Sequence, residues 1–199
     1  MFHRVTLRAT DRQASERFYD TVLATLGLEH GGWRDFAIEQ AGAERPATRG
    51  LHIGFVAPSR AEVDAFWRTG TSAGYRDDGA PGPRPQYGDD YYGAFLLDPD
   101  GNSAEAVHFE GLRQDGLVDH LWIRVADVPA SKRFYETVAA RAGFRLGTDT
   151  PERAQFQGET GSFSVLTGTP TQHTEMAFAA SEPERLIDPD GNVVRLVVL

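Results

Sequence analysis

Two copies of one short turn sequence are followed by residues of opposite chemistry. The sequence DPDGN occurs at Asp98–Asn102 and again at Asp188–Asn192. Three residues after the first copy stands Glu105, and three residues after the second stands Arg195. A carboxylate can ligate a divalent metal, whereas a guanidinium stays protonated in proteins and cannot. Metal chemistry is therefore expected only near the first copy, and the two copies are not expected to share one function.

Each DPDGN sequence is predicted to form the turn of a β-hairpin. In the first copy it separates the runs Tyr92–Leu97 and Ser103–Phe109. Proline presets the backbone of a turn, and Gly101 can adopt the positive φ that such a turn needs. The strand after the turn carries Glu105.

A second repeated segment predicts one helix near the start of each half. Residues 11–22 read DRQASERFYDTV and residues 127–138 read DVPASKRFYETV, an offset of 116. Apolar residues recur every four positions in both, which is typical of an amphipathic helix. Glycine follows each helix where a C-cap is expected, at Gly27 and Gly143. An alternating strand precedes each helix.

The strand pattern restarts once within the first half. Leu51–Ala57 is predicted as a strand, and Ser59 as the N-cap of a helix over Glu62–Ala73. The Gly- and Pro-rich segment Gly79–Gly88 is predicted as a connection or lid. The first half thus contains two β-α-β-β(-β) modules in tandem.

The second half is predicted to be shortened. His52 lies 46 residues before Asp98, whereas the corresponding Glu175 lies 13 residues before Asp188. The difference is about one helix and one strand. We therefore predict two halves, residues 1–112 and 113–199, with the boundary in Gly111–Gly116.

Composition limits the class of protein. The chain has 199 residues, 40% of them hydrophobic, and no cysteine, which excludes disulfides and thiolate metal sites. Its formal net charge of −9 argues against binding to nucleic acid or to anionic membranes. No apolar stretch approaches the length of a membrane span. A cytoplasmic location is expected.

Together these features resemble the vicinal oxygen chelate superfamily, which includes glyoxalases, extradiol dioxygenases and bleomycin-resistance proteins. The resemblance depends on a first strand that opens with His3, the segment RFYDTVLATLGL, His52 on the restarting strand, and DPDGN followed by Glu105. It implies an α+β fold of tandem βαβββ modules whose mixed sheets curl into cups, here with a truncated second half. Because this scaffold hosts several activities, the resemblance is specific for fold and weak for function.

The resemblance implies a metal site in the first-half cup. Its ligands are His52, Glu105 and His3, with Glu105 also a candidate catalytic base, and the metal is Fe(II), Mn(II), Ni(II) or Zn(II). The offset of 116 aligns His120 with Arg4 rather than with His3. Two alternatives follow, because a one-residue slip reverses the face of a strand. Either a bulge returns His3 to the cup, or Arg4 has replaced the ligand.

The second half carries the corresponding set His120, Glu175 and Arg195, which we interpret as decayed. Two functions remain open. One is a metal-dependent enzyme whose metal acts as a Lewis acid on two neighbouring oxygens of a small substrate. The other is a metal-free binding protein with an acidic, aromatic cup for a cationic planar compound, in which Arg4 pairs with Glu105. A homodimer is expected, since a second subunit would cover the shortened half.

Overall fold

The computed structural model describes residues 2–28, 32–113, 116–159 and 161–199. The helices are α1 Arg12–Leu23, α2 Arg60–Ser72 and α3 Val128–Ala142, with a short 3-10 turn at Ala24–Leu26. The strands are β1 Phe2–Ala9, β2 Phe36–Gln40, β3 His52–Val56, β4 Arg76–Pro83, β5 Tyr92–Leu97, β6 Ser103–His108, β7 Val118–Val125, β8 Arg145–Thr150, β9 Arg153–Gln157, β10 Ser162–Thr167, β11 Glu175–Ala179, β12 Glu184–Ile187 and β13 Val193–Val197.

Helices form in the three segments where the sequence predicts them, although α2 begins two residues earlier than predicted and α1 ends at Leu23, before the 3-10 turn that Gly27 closes. The Asp11 carboxylate accepts a hydrogen bond from the Ala14 amide, as does Asp127 from Ala130, and each satisfies an amide of the first helical turn. Gly143 ends α3 with a left-handed φ of 71°. The helix predictions are confirmed.

The strands form two mixed sheets. One has five strands in the order β12-β13-β11-β1-β2, and the other has eight in the order β4-β5-β6-β3-β7-β10-β9-β8. Each sheet therefore takes strands from both predicted halves. The α+β class is confirmed, whereas the division at 112/113 stays a prediction, and residues 114–115 of its boundary lie outside the described residues. No helix within the described residues is long and apolar enough to cross a membrane.

The structure corrects one strand prediction and shows which elements follow β3 and β11. The segment predicted as a lid is a strand as far as Pro83, because β4 pairs with β5 through irregular register. It is an exposed edge strand, which needs little apolar sequence, so its Gly and Pro content was misleading. After β11 the chain passes directly through residues 180–183 into β12, whereas α2 and β4 follow β3.

Both DPDGN turns are fixed by their own first side chain. Asp98 accepts hydrogen bonds from the amides of Asp100 and Asn102 and from the hydroxyl of Tyr19. In the second copy, Asp188 accepts the Tyr135 hydroxyl at 2.9 Å. All of these groups except Asp100 are buried. The motif therefore ties each hairpin to a helix.

The first turn also sets the register that matters for the site. The side-chain oxygen of Asn102 accepts the Leu51 amide at 3.1 Å, where β3 and β6 begin. The two strands then run parallel, with His52 opposite Ser103 and Gly54 opposite Glu105. This register places His52 and Glu105 on neighbouring strands.

Candidate metal centre

Three side chains meet on one face of the eight-stranded sheet. The Nε2 atom of His52 lies 2.9 Å from Oε2 of Glu105 and 3.2 Å from Nε2 of His120. Nε2 of His120 is 3.2 Å from the same oxygen of Glu105. The three atoms thus form a nearly equilateral triangle. The side chains of Glu105 and His120 are almost fully buried, and that of His52 is 16% exposed.

The triangle is formed across three adjacent strands, β6, β3 and β7. Gly54 on β3 lies opposite Glu105 on one side and opposite His120 on the other. A Cβ at Gly54 would meet the His120 ring at 2.2 Å, so only glycine leaves room for the imidazole. Gly93 on β5 plays the same part for Glu105, whose Oε1 would lie 2.5 Å from a Cβ there.

Both imidazoles are held by their other nitrogen. Nδ1 of His120 donates to Asp119 Oδ2 at 2.9 Å. Nδ1 of His52 lies 3.2 Å from Ser103 Oγ, which itself donates to Asp78. With a cation bound, these partners would keep the proton on Nδ1 of each ring and leave its Nε2 lone pair free for the metal. A carboxylate or hydroxyl behind a histidine is the usual support of a metal-ligating imidazole.

The pKa values of Glu105 and His120 are shifted so that both side chains are charged at neutral pH. Burial by itself raises the pKa of Glu105, but hydrogen bonds from His120 and His52 and their charges outweigh it and lower that pKa to about 2. Burial lowers the pKa of His120, yet hydrogen bonds to Asp119 and Glu105 raise it to about 9. Without a cation between them, the buried carboxylate is stabilised by a protonated imidazole. Tyr91 adds a hydrogen bond to Oε1 of Glu105 at 2.8 Å.

The donor set and its spacing fit a divalent metal. Ligands on one face of an octahedron around a metal at about 2.1 Å are about 3 Å apart, which the observed triangle matches. His52, Glu105 and His120 form the one cluster of three or more such groups within the described residues.

Two cavities open next to the cluster. One of about 440 Å³ is bordered by His52, Phe95 and Trp122, and one of about 300 Å³ by His120, Trp122 and Arg153. Tyr87 borders both and packs edge-on against Trp122, with the ring centroids 5.1 Å apart. Aromatic rings therefore flank the approach to the cluster.

The structure brings together two of the three predicted ligands. His52 and Glu105 are adjacent, but His3 is exposed on β1, which belongs to the five-stranded sheet. A bulge between Phe2 and Arg4 does interrupt β1, but it cannot carry His3 to the other sheet. The third member of the cluster is His120, which the sequence analysis assigned to the decayed second set.

The remaining residues of that second set form an ion-pair cluster instead. Glu175 is in contact with Arg8 and Arg195. Arg4 lies opposite Ala177 on β11, just as His120 lies opposite Gly54 on β3. Arg4 and His120 therefore occupy corresponding positions in the two sheets, as their alignment in the sequence indicated. Arg4 is exposed and makes none of the contacts that bury Glu105.

Comparison with known proteins gives the family. A model of the Glyoxalase/Bleomycin resistance protein/Dioxygenase superfamily matches residues 1–106, and the chain belongs to this superfamily. This is the group that the sequence resemblance indicated. A search among curated proteins finds no match.

Three solved structures illustrate the relationship. A glyoxalase/bleomycin resistance protein from Albidiferax ferrireducens T118 is 32% identical with a TM-score of 0.50, over 55% of this chain and 99% of that one. Glyoxalase I from Zea mays is 17% identical with a TM-score of 0.67, over 99% of this chain and 92% of that one. A putative dioxygenase from Bacillus subtilis subsp. subtilis str. 168 is 11% identical with a TM-score of 0.63, over 99% and 84%. The last two likenesses concern the fold alone.

Proposed function

We propose that the protein is a divalent-metal-dependent enzyme that binds a small substrate through two neighbouring oxygens. The observation that carries this proposal is the triangle of His52 Nε2, His120 Nε2 and Glu105 Oε2, with edges of 2.9 to 3.2 Å. A bound divalent cation supplies Lewis acidity to the two substrate oxygens. The protein would supply three fixed ligands, the buried negative charge of Glu105, and aromatic side chains that line the cavities next to the metal.

Among enzyme types of this superfamily, the site favours a dioxygenase over an isomerase. Two histidines and one carboxylate on one face, with the other positions open, are typical of non-haem Fe(II) oxygenases. An isomerase of the glyoxalase type needs a base, and the surroundings of Glu105 lower its pKa, which weakens it as a base. Both of its oxygens are already engaged, one by Tyr91 and the other by the histidines. We therefore propose Glu105 as a ligand rather than as the base.

The metal-free binding protein has less support. That hypothesis requires Arg4 against Glu105 and an acidic cup for a cation. Glu105 is held by His52, His120 and Tyr91 instead. The cavities also carry arginines, including Arg84 and Arg153, which would repel a cationic ligand.

Metal content tests the proposal. The protein is loaded separately with Fe(II), Mn(II), Ni(II) or Zn(II) without oxygen, desalted and measured by elemental analysis. We expect about one ion per chain, lost in Glu105→Gln and His120→Gln but kept in the controls His3→Gln and Arg195→Gln. Failure of all four metals to bind would end the enzyme hypothesis.

Oxygen uptake then separates the two enzyme types. We expect the Fe(II)-loaded protein to consume oxygen with catechols in an oxygen electrode, and the Zn(II)-loaded protein to consume none. Stoichiometric Fe(II) without oxygen uptake for any catechol would remove the dioxygenase assignment and leave the metal site standing.

We also propose a homodimer, supported by the exposure of Ile187 at the end of β12 and of Val198 directly after β13. A monomer mass by light scattering at micromolar concentration would refute it.

A further inference from the structure

An arginine without an acidic partner borders the same cavity as His120. Arg153 on β9 is half-buried, and its Nε and Nη2 donate to Ser164 Oγ at 3.3 and 3.1 Å. Its guanidinium carbon lies 5.0 Å from the ring centroid of Trp122. Within the described part of the chain, no carboxylate forms an ion pair with it. A neutral hydroxyl is therefore its main hydrogen-bond partner.

The two buried arginines among the described residues are neutralised by carboxylates. Arg8 contacts Glu175, and Arg113 lies 3.0 Å from Asp35. Burial lowers the pKa of Arg153 in the absence of such a partner. Withdrawing a charge from water without a counter-ion costs free energy, and an anion that enters the cavity would recover it. Arg153 is thus the kind of group expected to receive a ligand.

The cavity connects Arg153 to the candidate metal centre. It has a volume of about 300 Å³, and Arg153, His120, Trp122, Tyr87 and Tyr91 all border it. The His120 ring lies 5.7 Å from the Trp122 centroid, so His120 and Arg153 flank the same indole. One aromatic ring between the two groups would bridge them and pack against the tyrosines.

The charges of the cavity limit the anion. Asp90 and Asp119 also border it and would repel a phosphate dianion. A carboxylate carries a single charge, and its two oxygens match the fork of a guanidinium. The chemistry therefore favours a monocarboxylate.

We propose that Arg153 binds a carboxylate of the substrate, which would make the substrate an aromatic acid with two neighbouring ring oxygens. The position of the two oxygens rests on the proposed function, whereas the carboxylate site does not. Arg153 determines specificity in this scheme, and it discriminates between an acid and its neutral analogue.

The first experiment needs no metal. Benzoate and benzamide are titrated into the ¹⁵N-labelled, metal-free protein, and the Nε–H signal of Arg153 is identified by its loss in Arg153→Gln. We expect benzoate to shift this signal and benzamide to leave it in place. In Arg145→Gln, which removes an exposed arginine of the neighbouring strand β8, the response to benzoate should persist. No response to benzoate, or an equal response to benzamide, would overturn the proposal.

The second experiment uses the Zn(II)-loaded protein, in which zinc cannot change oxidation state. Calorimetry compares 3,4-dihydroxybenzoate with catechol. We expect the acid to bind at least tenfold more tightly, and Arg153→Gln to abolish that difference without weakening catechol. Circular dichroism confirms that the variant is folded. An equal affinity for the two ligands, or an acid preference that survives in Arg153→Gln, would refute the role of Arg153.

The two experiments distinguish a failure of the proposed function from a failure of the carboxylate site. If the protein retains no metal, the proposed function fails, and the benzoate titration still decides the carboxylate site. If metal and catechol bind but Arg153→Gln changes nothing, the metal site stands and the carboxylate site falls.

Discussion

Gly54 and His120 face each other across β3 and β7, and the imidazole of His120 fills the space where a side chain at Gly54 would begin. A Cβ there would lie 2.2 Å from Cε1 and 2.8 Å from Nε2 of that ring. The third corner of the candidate metal centre therefore depends on the absence of a side chain two residues after His52. The site therefore needs glycine at position 54 as much as it needs the three ligands.

We expect Gly54→Ala to weaken metal binding by at least tenfold, because His120 must leave the triangle. Overpacking at this position should also destabilise the fold by about 1–3 kcal/mol. Gly42→Ala is the matched control, since nothing lies within 4 Å of a Cβ there. Competition with a chelating dye measures the affinity, and urea unfolding measures the stability. Equal metal affinity in the two variants would show that His120 does not ligate.

Tyr91→Phe tests the support of Glu105. The change removes the hydrogen bond from the tyrosine hydroxyl to Oε1 at 2.8 Å while keeping the ring. We expect a loss of about tenfold in metal affinity, as is usual for the partners of ligating groups. Tyr92→Phe is the control, because its hydroxyl donates to Asp64 away from the cluster. The prediction fails if the two substitutions affect the affinity alike.

Metal binding should release a proton from His120. Its pKa of about 9 means that the ring is protonated at pH 7 in the metal-free protein, whereas a ligand must be neutral. The metal affinity should therefore rise by about tenfold per pH unit up to about pH 9 and then level off. Asp119→Asn should reduce this dependence, since Asp119 helps to raise the pKa. Dissociation constants between pH 6 and 9.5 provide the check, and a flat profile would contradict it.

The two DPDGN turns provide a matched pair for stability. Asp98→Ala and Asp188→Ala each leave buried donors without their acceptor: a tyrosine hydroxyl, and the backbone and side-chain amides of the asparagine that ends the turn. Each change should lower the free energy of unfolding by about 2–4 kcal/mol. Only Asp98→Ala should also weaken metal binding, because the first turn sets the register of β3 and β6. Denaturant unfolding and metal titration of both variants test this asymmetry.

Local sequence was sufficient for much of the fold. The apolar spacing around Phe18 and the N-cap at Ser59 predicted helices because those signals act within a few residues. Gly and Pro in the segment Gly79–Gly88 gave a misleading signal, since an exposed edge strand tolerates both. The strand β8 had no clear pattern, because five of its six residues are exposed and only Leu146 is half-buried.

Part of the candidate site could also be predicted from the sequence. His52 and Glu105 were predicted together from the resemblance, and they lie on neighbouring strands. His120 was noticed through its alignment with Arg4, but it was placed in a separate set. Arg153 and Gly54 carried no recognisable signal, since an arginine on a strand and a glycine in a strand are common.

The sequence by itself determined the repeated turns, the helices and the residue types that could ligate a metal. It did so because these features depend on side chains close together in the chain. Only the tertiary structure decided which histidine completes the triangle. β7 pairs with β3, not with β11, so His120 meets His52 across 68 positions of the chain while β1 carries His3 to the other sheet. Pairing between distant strands follows from how two sheets share the core, and no local periodicity specifies it.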